Sequence, residues 1–263
     1  MLIAPIMKGK IDKAKLDRFS QSSVLYIPSL FPKDLCNETC AFFLKNERSI
    51  IDRFREDKKG LTLDALNSEE YIKYFEYPIA LNAELFGRYV NSDVFELSEQ
   101  LLSEKVYIKS LEIHSRCAKG TPIPPHQDNA YYGLERAKGI TFYIPINNQK
   151  PTSGGLQYYK VRNDISLSHI PSDESGFSLT IQDTSALENT EILAYNYQPG
   201  DCTIHHSNSV HFAEMVPDNT QRGLVVRLSL FSIDDQKKSG HSEWYQSMIR
   251  RNRDRNNHVF SSL

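Results

Sequence analysis

Ile140-Thr141-Phe142-Tyr143-Ile144-Pro145-Ile146 alternates apolar residues with a second set, the period of a strand with one greasy face. Leu224-Val225-Val226-Arg227-Leu228-Ser229-Leu230 repeats the pattern, with Leu224, Val226, Leu228 and Leu230 on one side and Val225, Arg227 and Ser229 on the other. From Lys105 to about Ser232 the chain is built of such short β-type runs. Turn chemistry breaks them at Gly154-Gly155, Pro199-Gly200-Asp201 and Pro217-Asp218-Asn219. Residues 105–115 alternate imperfectly, which predicts a bulge. Many short strands without helical crossovers point to an antiparallel sandwich or closed barrel.

The N-terminal region has another texture. Val24-Leu25-Tyr26-Ile27-Pro28 reads as a short strand ended by its proline. Leu35, Cys36, Cys40, Phe42 and Phe43 recur at roughly helical spacing, so a helix is predicted from Pro32 to Lys45, with further helical pattern over Pro78–Tyr89 and Val94–Leu102. The expected fold class is mainly β with flanking helices (α+β), the N-terminal helices covering one outer face. One domain is expected over 1–263: a mostly helical segment over 1–104, a barrel core over 105–232 and a C-terminal helix or tail over 233–263. Residues 160–190 carry few strand signals and many polar residues, as a lid or binding loop does.

Composition narrows the function classes. The chain has 263 residues, 40% hydrophobic and 24% charged, enough to bury a core and stay soluble. With 31 Lys and Arg against 33 Asp and Glu, nothing calls for nucleic acid or an anionic membrane. The basic stretch Arg250 to Arg255 reads as a solvated helix end. Cys36, Cys40, Cys117 and Cys202 match no zinc ribbon and no CxxC pair. No apolar run approaches the ~20 residues of a membrane span, and Met1-Leu2-Ile3-Ala4-Pro5 lacks a signal-peptide pattern. A reducing cytoplasm is the expected compartment.

Chemistry concentrates in His126-Gln127-Asp128, after Pro124-Pro125. On an extended strand residues i and i+2 point to one side, so imidazole and carboxylate can share one ion. A third ligand must come from another strand, and the segment 201–211 offers His205, His206 and His211. Two histidines and one carboxylate on one face of a metal leave the other positions open, the donor set of non-haem Fe(II) oxygenases.

His126-Gln127-Asp128, the Pro199-Gly200-Asp201 turn, His205-His206, His211 and Arg222 together resemble the phytanoyl-CoA dioxygenase family, as do Val24–Pro28 and the following Leu30-Phe31. The resemblance covers about residues 19 to 231. It implies a double-stranded β-helix (a jelly-roll, cupin-type barrel) and a dependence on Fe(II), with 2-oxoglutarate and O2 as cosubstrates. It further implies that His126, Asp128 and His211 hold the metal, that Arg222 grips the far carboxylate of 2-oxoglutarate, and that Tyr143 stands beside that cosubstrate. Strand parity is consistent with Arg222: it shares the side of Leu224, Val226 and Leu228, and a cation on an apolar face needs an anion. Arg227, of opposite parity, is expected in polar surroundings. The chain departs from the family pattern at Gln157-Tyr158-Tyr159-Lys160 after Gly154-Gly155-Leu156, and at Ala213 two residues beyond His211.

The expected activity is C–H oxidation of a small molecule, foremost hydroxylation, with succinate and CO2 as co-products; desaturation and ring closure are related outcomes. Competing classes are a cupin-type metalloenzyme that does not use 2-oxoglutarate, such as an isomerase, and a metal-free binding protein on the same barrel. Asn129, Tyr131 and Tyr132 are expected at the pocket border, and His205 and His206 near the ligands. An amino acid, a natural-product scaffold and an acyl thioester all suit such a pocket.

Overall fold

In the computed structural model the two alternating stretches lie side by side as antiparallel strands, with Val226 opposite Ile144, Leu228 opposite Phe142 and Leu230 opposite Ile140. The structure describes residues 11–57, 60–118, 120–174, 178–218 and 220–250. The opening residues 1–10, Asn219 and the basic stretch beyond Arg250 lie outside them.

The N-terminal region runs α1 (Lys13–Ser22), β1 (Val24–Ile27), α2 (Lys33–Phe54), β2 (Leu61–Leu66), β3 (Glu69–Phe75), α3 (Pro78–Leu81), α4 (Ala83–Gly87) and α5 (Ser92–Leu102). There follow β4 (Val106–Arg116), β5 (Ile123–Gln127), α6 (Asn129–Tyr132), β6 (Gly139–Pro145), β7 (Gln157–Tyr159), β8 (His169–Pro171) and β9 (Leu179–Ile181). Last come β10 (Ile192–Ala194), β11 (Cys202–His206), β12 (Val210–Ala213) and β13 (Gly223–Ser232), with residues 241–250 helical. A seven-stranded sheet has the order β1-β11-β6-β13-β4-β3-β2, a four-stranded sheet β10-β7-β12-β5, and β8 pairs with β9. This is the jelly-roll arrangement of two sheets, not closed into a barrel. The bulge expected in 105–115 is present, where the β13–β4 register shifts between Ser229 and Leu230.

The greasy faces of β6 and β13 look outward, at the helices. Ile140, Phe142, Ile144, Ile146, Leu224, Val226, Leu228 and Leu230 are each 1% exposed or less. They share one core cluster with Leu35, Phe43 and Ile50 of α2 and Leu97 of α5. Each such side chain contributes roughly 1.5–3 kcal/mol by leaving water, so this layer is the main source of stability. The opposite faces of the same strands look at the smaller sheet. Local signals start the helices: Asp12 caps α1 by accepting from the Lys15 N–H, and Asn91 caps α5 through the Val94 N–H. Gly200 turns the chain between β10 and β11 at φ +97°, where a Cβ would lie 2.3 Å from the Phe31 carbonyl oxygen. Asp201 beside it accepts from Ser29 N–H and Tyr26 OH, which ties β1 to the sheet.

Two elements differ from expectation. The β2–β3 hairpin, unread in the sequence, extends the large sheet through β3 and β4; its turn residues Asn67 and Ser68 both have positive φ, as a tight hairpin turn requires. Helix α2 continues past Lys45 to Phe54, because its stripe runs on through Ile50 and Ile51. A carboxylate interrupts that stripe: Glu47 accepts from Arg222 Nη1 and Nη2, both at 2.7 Å, and from the Ile72 N–H. Arg222 also donates to Ile72 O and Ser115 Oγ. With side chains only 16% and 17% exposed, the pair clamps α2, β3 and the start of β13 together.

Removing one partner of such a pair strands a buried charge. Glu47→Ala should lower the unfolding free energy by about 3–5 kcal/mol. Glu47→Leu combined with Arg222→Met should recover most of that loss, as measured by urea denaturation in a double-mutant cycle.

Candidate metal centre and its cavity

β5 is an edge strand of the smaller sheet, so Pro124 and Pro125 remove no ladder bond that the sheet needs. Its one ladder partner is β12, and the register sets His126 directly opposite His211. Their rings lie 4.2 Å apart, centroid to centroid. Asp128 follows the strand end, in helical backbone geometry at the start of α6. The structure brings His126, Asp128 and His211 together, all buried, with one potential ligand atom from each within 4.8 Å of the others.

Hydrogen bonds orient each group. His126 Nδ1 donates to the Pro124 carbonyl at 2.8 Å, and His211 Nδ1 donates to the Ser209 carbonyl at 3.0 Å. A carbonyl only accepts, so the proton sits on Nδ1 and the Nε2 lone pair is free. Both Nε2 atoms face Asp128 Oδ1, at 3.9 Å from His126 and 3.7 Å from His211. Burial, reinforced by His211, pushes the His126 imidazole down to about 3. Burial, opposed by Asp128, brings His211 down to about 4. Neutral imidazoles with inward lone pairs are what a cation requires.

The two oxygens of Asp128 have different tasks. Oδ2 accepts from Arg227 Nη2 at 2.6 Å, Thr141 Oγ1 at 3.2 Å, and Tyr132 OH and His205 Nε2 at 3.3 Å each. Oδ1 is left to the two histidines. Burial alone would raise the Asp128 carboxyl; Arg227, His205 and His211 outweigh it and hold the group well below the usual carboxylate range. Arg227 is itself held by Glu112 at 3.1 Å, and Glu112 meets His114 at 2.9 Å. Burial would raise Glu112 as well, but Arg227 and His114 bring it down to about 2.

These groups open on a cavity of about 490 Å³ between the two sheets. Tyr131, Tyr132 and Tyr245 supply aromatic wall, and the β2–β3 hairpin contributes Tyr71, Lys73 and Tyr74. Another part of the lining holds Arg116, Tyr143 and Gln149, with Tyr143 OH donating to Gln149 Oε1 at 2.7 Å.

The residues expected at the site divide clearly. His126, Asp128, His211, Tyr143, Tyr131, Tyr132 and His205 line the cavity. Arg222, expected to grip 2-oxoglutarate, does not: its guanidinium lies on the helix-facing side and is paired with Glu47. The parity reasoning takes the apolar face of β13 for the interior, whereas that face meets the helices. His206 turns from the cavity to the edge of the Phe19 ring and accepts from Asn208 N–H. Asn129 instead clasps Leu134 by bonds in both directions. The 160–190 stretch supplies no described residue to the lining. It is stitched to β5, since Gln127 bonds Ile165 and Leu167, and His169 accepts from the Gln127 N–H. Sequence reasoning misses Arg227, Glu112, Thr141 and Arg116 as site residues. The available signal for Arg227 is its place on the mixed face with Val225 and Ser229.

The family model described as Phytanoyl-CoA dioxygenase (PhyH) matches residues 19–216. Among curated protein sequences, none matches. Solved structures with the same fold include EctD from S. alaskensis with bound Fe, at TM-score 0.68 and 14% identity, covering 90% of this chain and 84% of that one. The non-heme alpha ketoglutarate dependent epimerase SnoN from nogalamycin biosynthesis has TM-score 0.65 and 13% identity, with 87% and 86% covered. The corresponding carbocyclase SnoK has TM-score 0.63 and 16% identity, with 87% of each chain covered. With three quarters of its length matched, the chain belongs to the phytanoyl-CoA dioxygenase family of non-haem iron, 2-oxoglutarate-dependent enzymes.

Proposed function

We propose that His126 Nε2, His211 Nε2 and Asp128 Oδ1 hold Fe(II), and that the cavity receives 2-oxoglutarate and a small organic substrate whose C–H bond is oxidised, foremost by hydroxylation. The observation that carries this is the division of Asp128: one oxygen is saturated by four donors and the other is turned to two imidazole lone pairs. Such a carboxylate suits a single coordination position. Bound iron, with 2-oxoglutarate and dioxygen, supplies the oxidising power and leaves succinate and CO2 as co-products.

The chain's own groups bind, orient and exclude water. Arg227 keeps Asp128 anionic and fixes its rotation. The cavity lies in the size range of small-molecule sites, and its tyrosines offer aromatic surface with hydrogen-bonding tips. Asp128 also bears on the outcome. A carboxylate in this place fills a position and adds a negative charge, which disfavours chloride and favours oxygen transfer over halogenation. The structure of SnoN in complex with Fe3+, alpha ketoglutarate and nogalamycin RO supports a small-molecule substrate for this cavity.

Anaerobic addition of Fe(II) and 2-oxoglutarate should give a weak visible charge-transfer band. His126→Ala and His211→Ala should each abolish both the band and succinate formation while leaving the circular dichroism spectrum unchanged. Retention of activity in His211→Ala with its loss in His205→Ala would reassign the third ligand. Arg227→Met should weaken Fe(II) binding by about 10–100-fold in an anaerobic titration, because it releases the carboxylate that Arg227 orients.

A further inference from the structure

Two arginines flank the start of β13 on opposite faces, and their surroundings differ. Arg222 is neutralised by Glu47. Arg116, at the end of β4, stands directly opposite Gly223, so its side chain shares the cavity face with Val225 and Arg227. Its Nη2 donates to two backbone carbonyls, Thr121 O and Glu214 O, both at 2.9 Å. Its Nε is buried and has no hydrogen-bond partner. Burial weakens its hold on its proton, the neutral phenols Tyr143 and Tyr71 oppose that, and Lys73 is a second cation close enough to feel it. A desolvated guanidinium without a counter-ion is costly, and it faces the same space as the metal ligands.

The carbonyls it touches place it further. Glu214 directly follows β12, which carries His211, and Thr121 lies just before β5, which carries His126. Arg116 therefore sits at the far end of the ladder that positions both histidines, a few residues along each strand. Gly223 has no side chain to occupy that corner, and even a Cβ there would lie 3.2 Å from Gln149. Tyr143 and Gln149, bonded to each other, complete a polar corner beside the cation.

Resting on the iron and 2-oxoglutarate reading above, we infer that Arg116 binds the distal carboxylate of the cosubstrate, beside Tyr143, in the role that the family resemblance implies for Arg222. A guanidinium fork matches a carboxylate, and the unpartnered Nε supplies a donor for it. Arg116 is thus a cosubstrate-binding residue from β4, replacing an arginine beside β13 whose side chain points the other way.

The test is binding, not turnover. Iron-loaded protein is titrated anaerobically with 2-oxoglutarate and with 2-oxopentanoate, which keeps the chelating end and lacks the distal carboxylate. Wild type should prefer 2-oxoglutarate strongly. Arg116→Met should lose about a hundredfold in 2-oxoglutarate affinity, bind 2-oxopentanoate as wild type does, and keep its Fe(II) affinity. Should Arg116→Met fail to fold, Arg116→Lys, which keeps the charge without the fork, decides on the same titration by a smaller loss of preference. Unchanged preference in a folded Arg116 variant overturns this inference alone. A wild type that binds Fe(II) but neither oxoacid overturns the parent reading and this inference with it.

Discussion

The alternation of strand β13 is the constraint on which the rest depends. Its ten residues separate a dry core from a polar cavity, and a slip of one residue would exchange the two. Leu224, Val226, Leu228 and Leu230 on one side are locked into the helix layer. That packing leaves no freedom for Arg227 on the other side, which must project between the sheets toward Asp128. The register with β4 then sets Glu112 beside Arg227 and Arg116 beside Gly223. The order of charges around the site is thus a consequence of apolar packing on the face that never touches it.

This division explains what can be read from sequence. His126, Asp128 and His211 are legible as a set because metal ligation restricts residue types, although Asp128 meets the histidines from a helical turn after β5 and not from the extended i, i+2 geometry the sequence suggests. That His126 and His211 stand directly opposite is not legible, since pairing register is a property of two distant segments. The arginines mislead for a related reason. Alternation reveals that a strand has two faces, but not which face looks at helices and which at a ligand. Here the apolar face belongs to the helix layer, so the cation beside it, Arg222, pairs with Glu47, and the mixed face looks into the cavity. Arg116 lies next to the one imperfectly alternating stretch, where facing is hardest to assign.

Elsewhere, tertiary contacts overrule local chemistry. Glu47 masks the continuation of α2 because a carboxylate on a buried stripe reads as its end; only the partner Arg222, far along the chain, makes that position tolerable. The Asn67-Ser68 turn lacks the glycine that marks most tight hairpins. The polar stretch 160–190 resembles a free loop because its apolar anchors are few and widely spaced, Val161, Leu167, Ile181 and Leu187 packing near Val210, and its polar ones are the amide of Gln127 and backbone groups of β5.

The cross-strand pairing of His126 with His211 has an evolutionary corollary. The spacing of the two backbone positions that carry the imidazoles is set by the β-ladder, through backbone hydrogen bonding and independently of loops. The Asp128 carboxylate stands outside the ladder, on a short helical turn, and depends on side chains from four other positions. The centre is therefore modular. Its imidazole half is as durable as the sheet itself, while its carboxylate half depends on Arg227, Thr141, Tyr132 and His205, so substitution at those four positions would re-aim Asp128 without disturbing the histidine pair.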